Sequence, residues 1–246
     1  LGAIVKTATL FAANKAAGKP AVNGAVTLFS DLDGTLEALL DFHLVTKWKT
    51  AADSLLAARR LARPESRNIL ILGAGTVARS LIDAYRAAFP EARIALWNRT
   101  REHAETLARE TGATVAAELS SAVPHADIVS CATMSPEPIL RGTWLRPGQH
   151  VDLIGAYRPD LREADDEALT RARIFVDSRE TTLDHIGELK IPLEAGIISR
   201  EDIVADYYEL DAFTRQPDDI TLFKNGGGAH LDLMTARHIL ERWRED

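Results

Sequence analysis

The spacing of hydrophobic and polar positions changes along the chain, and each change predicts a different kind of element. Residues 1–42 read as short strands, IVKTATLF, AVNGAVTLF and LEALLDF, separated by turn-forming Gly, Asn, Lys and Asp. From Thr46 to Arg63 apolar residues recur at helical spacing, and Pro64 ends the helix. Further on, residues 182–219 read as loops and short helices. The strand ITLFKN and three glycines then lead into a helix over 230–244.

Between these segments, strands and helices alternate. The predicted strands are NILILGAG, ARIALWN, a short one near 113–116, ADIVSCAT, HVDLIGA and IFVDS, and the helices lie near 78–89, 101–111, 119–123 and DDEALTRAR. This alternation predicts an α/β protein with a Rossmann-type, doubly wound parallel sheet. We expect this sheet domain, residues 56–218, to be inserted in a smaller strand-rich substrate and dimerisation domain, residues 1–55 plus 219–246.

Composition narrows the possible partners. The residues are 46% hydrophobic and 26% charged, and the net charge of −7 with scattered Lys and Arg argues against nucleic acid. No apolar run approaches the ~18 residues of a membrane span, and no signal peptide opens the chain. The single cysteine, Cys131, excludes disulfides and Cys-based metal sites, so we expect a cytoplasmic protein without metal. Because Leu1 is not a methionine and already begins a strand pattern, we expect an upstream segment to be missing.

A glycine-rich loop follows the first buried strand of the alternating region. Residues 73–78 read Gly-Ala-Gly-Thr-Val-Ala, a G-x-G-x-x-A loop that opens onto a helix. Gly73 permits the tight turn, Gly75 allows close approach of a pyrophosphate, and Ala78 allows close helix–strand packing. An accidental glycine turn is the alternative, but the flanking strand and helix favour a dinucleotide-binding domain.

The end of the next strand bears on the choice of cofactor. An NAD enzyme places an acid there for the ribose hydroxyls, whereas this chain has Asn98, Arg99 and Thr100. These side chains can donate hydrogen bonds to a 2′-phosphate, and Arg99 offers a planar fork. Thr100 as a simple helix cap and a solvated Arg99 remain the alternative. The sequence therefore favours NADP(H) and leaves NAD(H) open.

A second motif, FSDLDGTL, resembles the nucleophile loop of haloacid-dehalogenase-type phosphatases, with Asp31 as phosphoryl acceptor and Asp33 as acid/base. Such enzymes carry this loop on the central strand of their own doubly wound sheet, but here the only alternating series begins some 40 residues later. Asp33-Gly34 also joins two strand-like runs, which is a strong hairpin signal. We therefore predict a hairpin and no phosphatase activity.

Taken together, the chain resembles the ornithine cyclodeaminase/mu-crystallin family along essentially its whole length. The resemblance rests on IVKTATLF, TKWKTAADSLLAARRLAR, ILGAGTVA, WNRT, ADIVSCAT with EPIL, WLRPGQHVDLIGA, RPDLRE, FVDSRE, GEL and ITLFKNGGGAHLD. It implies a homodimer and an NADPH-dependent oxidoreductase of amino-acid metabolism that reduces C=N bonds. The family also has a further N-terminal segment with substrate-contacting residues.

The resemblance also assigns site residues. Lys6 falls on the family's active-site lysine, and Lys49 falls where the cyclodeaminases have a substrate-carboxylate arginine, which is a departure. Asp232 falls on the family's aspartate in the last helix, and His230 is our own candidate for the proton donor. Solvated lysines, a structural Asp232 and a packing role for His230 are the alternatives. Cofactor positions are Gly73, Gly75, Thr76, Val77, Asn98, Arg99, Thr100, Thr133, Met134, Gly155 and Tyr157.

The substrate expected from this resemblance is a cyclic 2-imino acid, Δ1-pyrroline-2-carboxylate or Δ1-piperideine-2-carboxylate. Three alternatives remain open: ornithine cyclodeaminase, an alanine-dehydrogenase-like enzyme and a non-catalytic binding protein. Cyclodeaminases carry an aspartate base after the strand at the nicotinamide, where this chain has Tyr157. A tyrosine, with an ordinary pKa near ~10, is a poor base at neutral pH. This residue therefore favours reduction of a preformed imine.

Overall fold

The computed structural model describes residues 2–20 and 22–245. Its strands are β1 (Ala3–Leu10), β2 (Val22–Phe29), β3 (Leu36–Asp41), β4 (Asn68–Leu72), β5 (Arg93–Trp97), β6 (Thr114–Val115), β7 (Ile128–Cys131), β8 (His150–Leu153), β9 (Arg173–Val176), β10 (Ile203–Ala205) and β11 (Thr221–Lys224). Its helices are α1 (Phe42–Leu61), α2 (Thr76–Ala88), α3 (Arg101–Thr111), α4 (Leu119–Ala122), α5 (Asp166–Thr170), α6 (Arg179–Thr182), α7 (Gly187–Glu194) and α8 (Ala229–Glu245). Short 3-10 turns link several of them.

The chain forms two compact units. The first comprises Leu1–Lys49 and Gly228–Asp246, and the second comprises Thr50–Gly227. These limits differ from the expected boundaries at 55/56 and 218/219. At the second boundary the difference comes from β11, a strand of the large sheet that the sequence assigned to the outer domain.

The first unit is an antiparallel sheet in the order β1-β2-β3 with helix packing on one face. Lys6 lies opposite Val26, and Val26 lies opposite Leu40. Val26 packs with Val45 of α1 and Ala236 of α8 in a small apolar core. Because side chains alternate along a strand, the opposite face of the sheet carries a different set of residues.

The β2–β3 connection is a tight, exposed turn. The Ser30 amide donates to the Thr35 carbonyl at 2.9 Å, and Gly34 sits at φ 73°, where glycine is favoured. Asp33 accepts hydrogen bonds from the amide and hydroxyl of Thr35, which lower the pKa of its carboxyl. The predicted hairpin is confirmed, and the motif does not lie at the end of a parallel strand as a phosphatase loop would.

The second unit contains an eight-stranded sheet in the order β10-β9-β11-β8-β7-β4-β5-β6, with every pair parallel. From β4 the chain runs outward to β5 and β6 and then returns to β7 and β8 on the other side of β4, so the strand order reverses between β4 and β7. In doubly wound sheets, ligands bind at such a switch point, outside the carboxyl ends of the strands. The predicted Rossmann-type fold is confirmed.

No helix within the described residues combines the length and apolar character needed to cross a bilayer. Across that same part of the chain, no group of three or more His, Cys, Asp or Glu side chains is arranged to hold a metal ion.

Candidate active site

Three predicted residues of the first unit form one ionic cluster. The Lys6 ammonium donates to Asp232 Oδ1 at 2.8 Å, and the Lys49 ammonium donates to Asp232 Oδ2 at 3.2 Å. The side chains of Lys6, Lys49 and Asp232 are only 17%, 10% and 8% exposed. Solvated surface lysines, the alternative from sequence, do not fit this burial. The three side chains therefore form a largely buried ion-paired cluster.

The cluster follows from the local structure of the first unit. Strand alternation places Lys6 on the face of β1 that also carries Ile4, which packs against the core. The Lys6 ammonium also lies 4.9 Å from the centre of the Phe42 ring, a cation–π distance. Asp232 lies in the first turn of α8, where a helix dipole favours negative charge.

His230 lies two residues before Asp232 in the same helical turn. Its ring nitrogen Nε2 is buried and has no hydrogen-bond partner in the described part of the chain. A buried polar atom without a hydrogen-bond partner costs free energy, so its presence suggests a functional role. His230 therefore carries an uncommitted ring nitrogen in the same helical turn as Asp232.

The second unit carries the dinucleotide loop at the carboxyl end of β4. The Gly73 amide donates to the Trp97 carbonyl at 2.7 Å, and a Cβ on Gly73, at φ 120°, would lie 2.6 Å from the Ala132 carbonyl oxygen. A Cβ on Gly75 would meet nothing within 4 Å. Gly73 is thus needed for the turn itself, while Gly75 leaves open space in front of α2. Thr76 and Val77 form the first turn of that helix, whose amides suit an anionic pyrophosphate.

The three residues after β5 lie beside this loop in the sheet order. Asn98 donates through Nδ2 to the Thr100 carbonyl at 2.8 Å, which fixes the turn. Thr100 occupies the N-cap position of α3, but its side chain makes no capping hydrogen bond. Arg99 is exposed. The alternative of a capping role for the Thr100 side chain is therefore not realised.

The remaining predicted cofactor residues follow β7 and β8. Thr133 and Met134 come after β7, and Gly155 and Tyr157 come after β8. A Cβ on Gly155 would lie 1.6 Å from the Thr133 carbonyl oxygen, so the two loops are in backbone contact. All eleven predicted cofactor residues thus lie at the carboxyl ends of the four neighbouring strands β5, β4, β7 and β8. Open space at Gly75 and free helix amides there fit a dinucleotide.

Sequence reasoning missed Glu163, which binds both of these loops. Its Oε1 accepts from the amide and hydroxyl of Thr133 at 2.7 and 2.8 Å, and its Oε2 accepts from the amides of Gly155 and Ala156 at 2.6 and 3.3 Å. Burial, followed by the charge of Glu188, raises the pKa of Glu163 to about 8. The only signal in the sequence was its place in RPDLRE, which marks a resemblance and no role.

Two buried ionisable side chains of the large sheet, Asp152 and Lys224, were also not predicted from the sequence. Asp152 of β8 is fully buried and accepts from the Tyr85 hydroxyl at 3.3 Å. Lys224 of β11 is equally buried and donates to the Leu153 carbonyl at 2.9 Å. Burial raises the pKa of Asp152 to about 7, although Ser54 and Lys224 act in the opposite direction. Both side chains are enclosed within the second unit.

Comparison with known proteins gives consistent matches over the whole chain. The model of the ornithine cyclodeaminase/mu-crystallin family matches residues 2–246. The Delta(1)-pyrroline-2-carboxylate reductase of Paracoccus denitrificans (strain Pd 1222) is 52% identical, over 97% of this chain and 79% of that protein.

Two solved structures are similar in fold. One is the Thermococcus litoralis Delta(1)-pyrroline-2-carboxylate reductase in complex with NADH and L-proline, with a TM-score of 0.90 and 28% identity over 99% of this chain and 79% of that one. The other is an archaeal alanine dehydrogenase dimer with bound NAD, with a TM-score of 0.88 and 27% identity over 97% of this chain and 76% of that one.

Proposed function

Because the chain belongs to the ornithine cyclodeaminase/mu-crystallin family, we propose that it reduces a cyclic 2-imino acid with NADPH. The substrate is Δ1-pyrroline-2-carboxylate, which yields L-proline, and Δ1-piperideine-2-carboxylate is the second candidate. The predicted family is confirmed, and so is the class: the chain is a nicotinamide-dependent oxidoreductase that acts on C=N bonds. The observation that carries the substrate proposal is the largely buried Lys6–Asp232–Lys49 cluster.

The cluster suits the two charges of the reaction. A 2-imino acid carries a carboxylate, which the ammonium groups of Lys6 and Lys49 are proposed to bind. Reduction adds a hydride to the imine carbon and a proton to the imine nitrogen, and a protonated imine accepts the hydride more readily. Asp232 stabilises a positive imine, and His230 is the proposed proton donor because its Nε2 is uncommitted. The cofactor, when bound, supplies the hydride.

NADPH is the proposed reductant in preference to NADH. Asn98, Arg99 and Thr100 follow β5 without a carboxylate that would repel a 2′-phosphate. The exposed guanidinium of Arg99 and the Thr100 hydroxyl, which caps no helix, are the groups proposed to meet that phosphate.

Tyr157 argues against a cyclodeaminase. It is exposed in the loop after β8, at the position where cyclodeaminases have an aspartate base. Incubation with L-ornithine and NAD tests this point, and we expect no release of ammonia. Rapid formation of ammonia and proline would contradict the proposal and assign cyclodeaminase activity.

The decisive experiment is an NADPH-oxidation assay against a panel of substrates. The panel contains Δ1-pyrroline-2-carboxylate, Δ1-piperideine-2-carboxylate, and pyruvate with ammonia, which is the substrate pair of an alanine dehydrogenase. We expect the pyrroline to have the highest kcat/KM. Preference for pyruvate with ammonia would favour the alanine-dehydrogenase alternative, and no turnover with any member would favour a binding protein.

We also propose that the chain forms a homodimer through the free face of its antiparallel sheet. Val5, Thr27 and Leu39 form one cross-strand row on the face opposite the small core. Val5 is 55% exposed and Leu39 is 70% exposed, and contiguous apolar surface of this kind marks interaction sites. Light scattering should give twice the chain mass of 26.9 kDa, and Val5→Glu with Leu39→Glu should halve it. A wild-type mass of one chain would refute this.

A further inference from the structure

We propose that Glu163 is a positioning residue for the nicotinamide cofactor, because its carboxylate ties together the two loops that follow β7 and β8. The inference rests on the proposed function in one respect: it takes the loops of Thr133 and Gly155 as cofactor-contacting. Glu163 itself is fully buried and belongs to no predicted set of site residues.

The carboxylate divides its two oxygens between the two loops. Oε1 takes both donors of Thr133, and Oε2 takes the amides of Gly155 and Ala156. Thr133 is 30 residues before Glu163 and Gly155 is 8 residues before it, so the bonds join separate segments of chain. One side chain therefore sets the spacing of the two loops at the cofactor edge.

Close backbone packing limits how far the loops after β7 and β8 can move relative to each other. The Gly155 backbone is packed so closely on the Thr133 carbonyl that any side chain at Gly155 would overlap it. A small relative shift of either loop would therefore open a gap or produce a clash. Glu163 supplies the attraction that holds this contact at one separation.

Glu163 is in turn held in place by a second buried acid. Glu188, in the first turn of α7, accepts from the amides of Glu163 and Ala164 at 2.7 and 3.0 Å. A Cβ on Gly187 would lie 2.5 Å from the Pro159 carbonyl oxygen, so this segment is packed directly against α7. Hydrogen bonds thus connect α7, through Glu188 and Glu163, to the cofactor loops.

Only an ionised carboxylate satisfies all the donors. Four N–H and O–H groups point at its two oxygens, and an ionised carboxylate is a pure acceptor. The amide of a glutamine has one acceptor oxygen and would turn its NH2 group towards donors on the other side. Glu163→Gln therefore keeps the size of the side chain and releases one of the two loops.

The test measures cofactor binding directly, independently of turnover. Fluorescence titration of the full chain with NADPH and with NADH is run at pH 9, above the pKa of Glu163 at about 8. Loss of hydrogen bonds to a charged group predicts a cofactor Kd about 10- to 100-fold weaker in Glu163→Gln. The KM for the imino acid should change less than about threefold, since Lys6 and Lys49 are untouched. If wild-type protein binds cofactor but reduces no imino acid, only the proposed function fails.

The matched control is Asp152→Asn, which removes another fully buried carboxylate of the same unit without touching either loop. It should leave the cofactor Kd within twofold of wild type. Hydrogen exchange in the cofactor-free protein should show faster exchange at the Thr133 and Gly155 amides in Glu163→Gln but not in the control.

If Glu163→Gln does not fold, Glu188→Gln takes its place, with an expected weakening of about 3- to 10-fold because it acts through Glu163. A folded Glu163→Gln protein with a wild-type cofactor Kd would overturn the proposal. An equal loss in Asp152→Asn would do the same, since it would indicate a general effect of buried charge.

Discussion

At the scale of single residues, the Lys6–Asp232–Lys49 cluster places two ammonium groups on one carboxylate. All three side chains are largely shielded from water. Shielding strengthens the attraction of an added carboxylate, because the effective dielectric constant is lower than in bulk water. We therefore expect the proposed site to prefer small acids to neutral analogues.

Replacement of Lys6 tests this selection. Lys6→Met keeps most of the side-chain length but removes the charge and the bond to Asp232. Loss of one charge-assisted contact costs about 1.5–3 kcal/mol, so kcat/KM for the imino acid should fall roughly 10- to 100-fold. The cofactor Kd should not change. Lys19→Met, at an exposed lysine, is the control and should be as active as wild type; full activity in Lys6→Met would remove Lys6 from the site.

A second prediction at this scale concerns Arg99. Its exposed guanidinium has no acid beside it in the sequence, which suits a phosphate. Arg99→Ala should weaken NADPH roughly 10- to 100-fold and NADH much less, since a charge-assisted contact is lost only with the phosphate. Arg101→Ala, two residues along and paired with Glu105, serves as the control. Equal losses for NADPH and NADH, measured by titration, would be incompatible with the assignment.

At the scale of elements, the sequence predicted the strands of the large sheet well and their edges less well. Parallel strands are buried on both faces, so β4 and β7 are mostly apolar and stand out in the sequence. Strand β10 has only three residues and was expected to be loop. Helix α1 begins at Phe42 instead of Thr46, because Asp41 accepts from the Leu44 amide at 2.6 Å and caps the helix earlier.

Some residues of the candidate site could be predicted from the sequence and others could not. Residues marked by a motif, such as Gly73 and Gly75, were predictable because the turn and the ligand each constrain a glycine. Glu163 was not, because its partners are mostly backbone amides whose positions depend on the completed sheet. A glutamate that binds main-chain groups leaves no pattern at fixed spacing.

The two glycines of the dinucleotide loop give a prediction that separates folding from binding. Gly75→Ala adds a methyl group that meets no protein atom, at φ −93°, which any residue adopts. Its melting temperature should stay within about 4 °C of wild type, while cofactor affinity falls at least about tenfold because the pyrophosphate needs that space. Gly73→Ala is the contrast: at φ 120° and 2.6 Å from the Ala132 oxygen it should lower the melting temperature markedly. Unchanged cofactor binding in Gly75→Ala would rule out the proposed pyrophosphate position.

At the scale of the whole molecule, buried acids link stability to pH. Asp152 and Glu163 are both fully buried, and burial raises their pKa values to about 7 and about 8. For an acid whose folded pKa is raised, the protonated form is favoured by folding. Its contribution to stability is therefore complete below the unfolded pKa and is lost as pH rises through the folded pKa. These two groups make the protein less stable at pH 9 than at pH 5.

Asp152 allows this dependence to be measured without disturbing the site. Asp152→Asn replaces the carboxylate by a neutral group of the same size, beside Tyr85 and Ser130. The variant should lose less unfolding free energy than wild type between pH 5 and pH 9, with a difference of up to about 3 kcal/mol, since the interval from pH 5 to the folded pKa of about 7 spans about two units at ~1.4 kcal/mol each. The difference should grow from pH 5 to about pH 7 and stay constant above it. Urea unfolding at several pH values measures it, and parallel curves for the two proteins would show that Asp152 does not titrate in the folded state. That outcome would mean that Asp152 is already ionised at pH 5 and that the charge of Lys224 outweighs the burial.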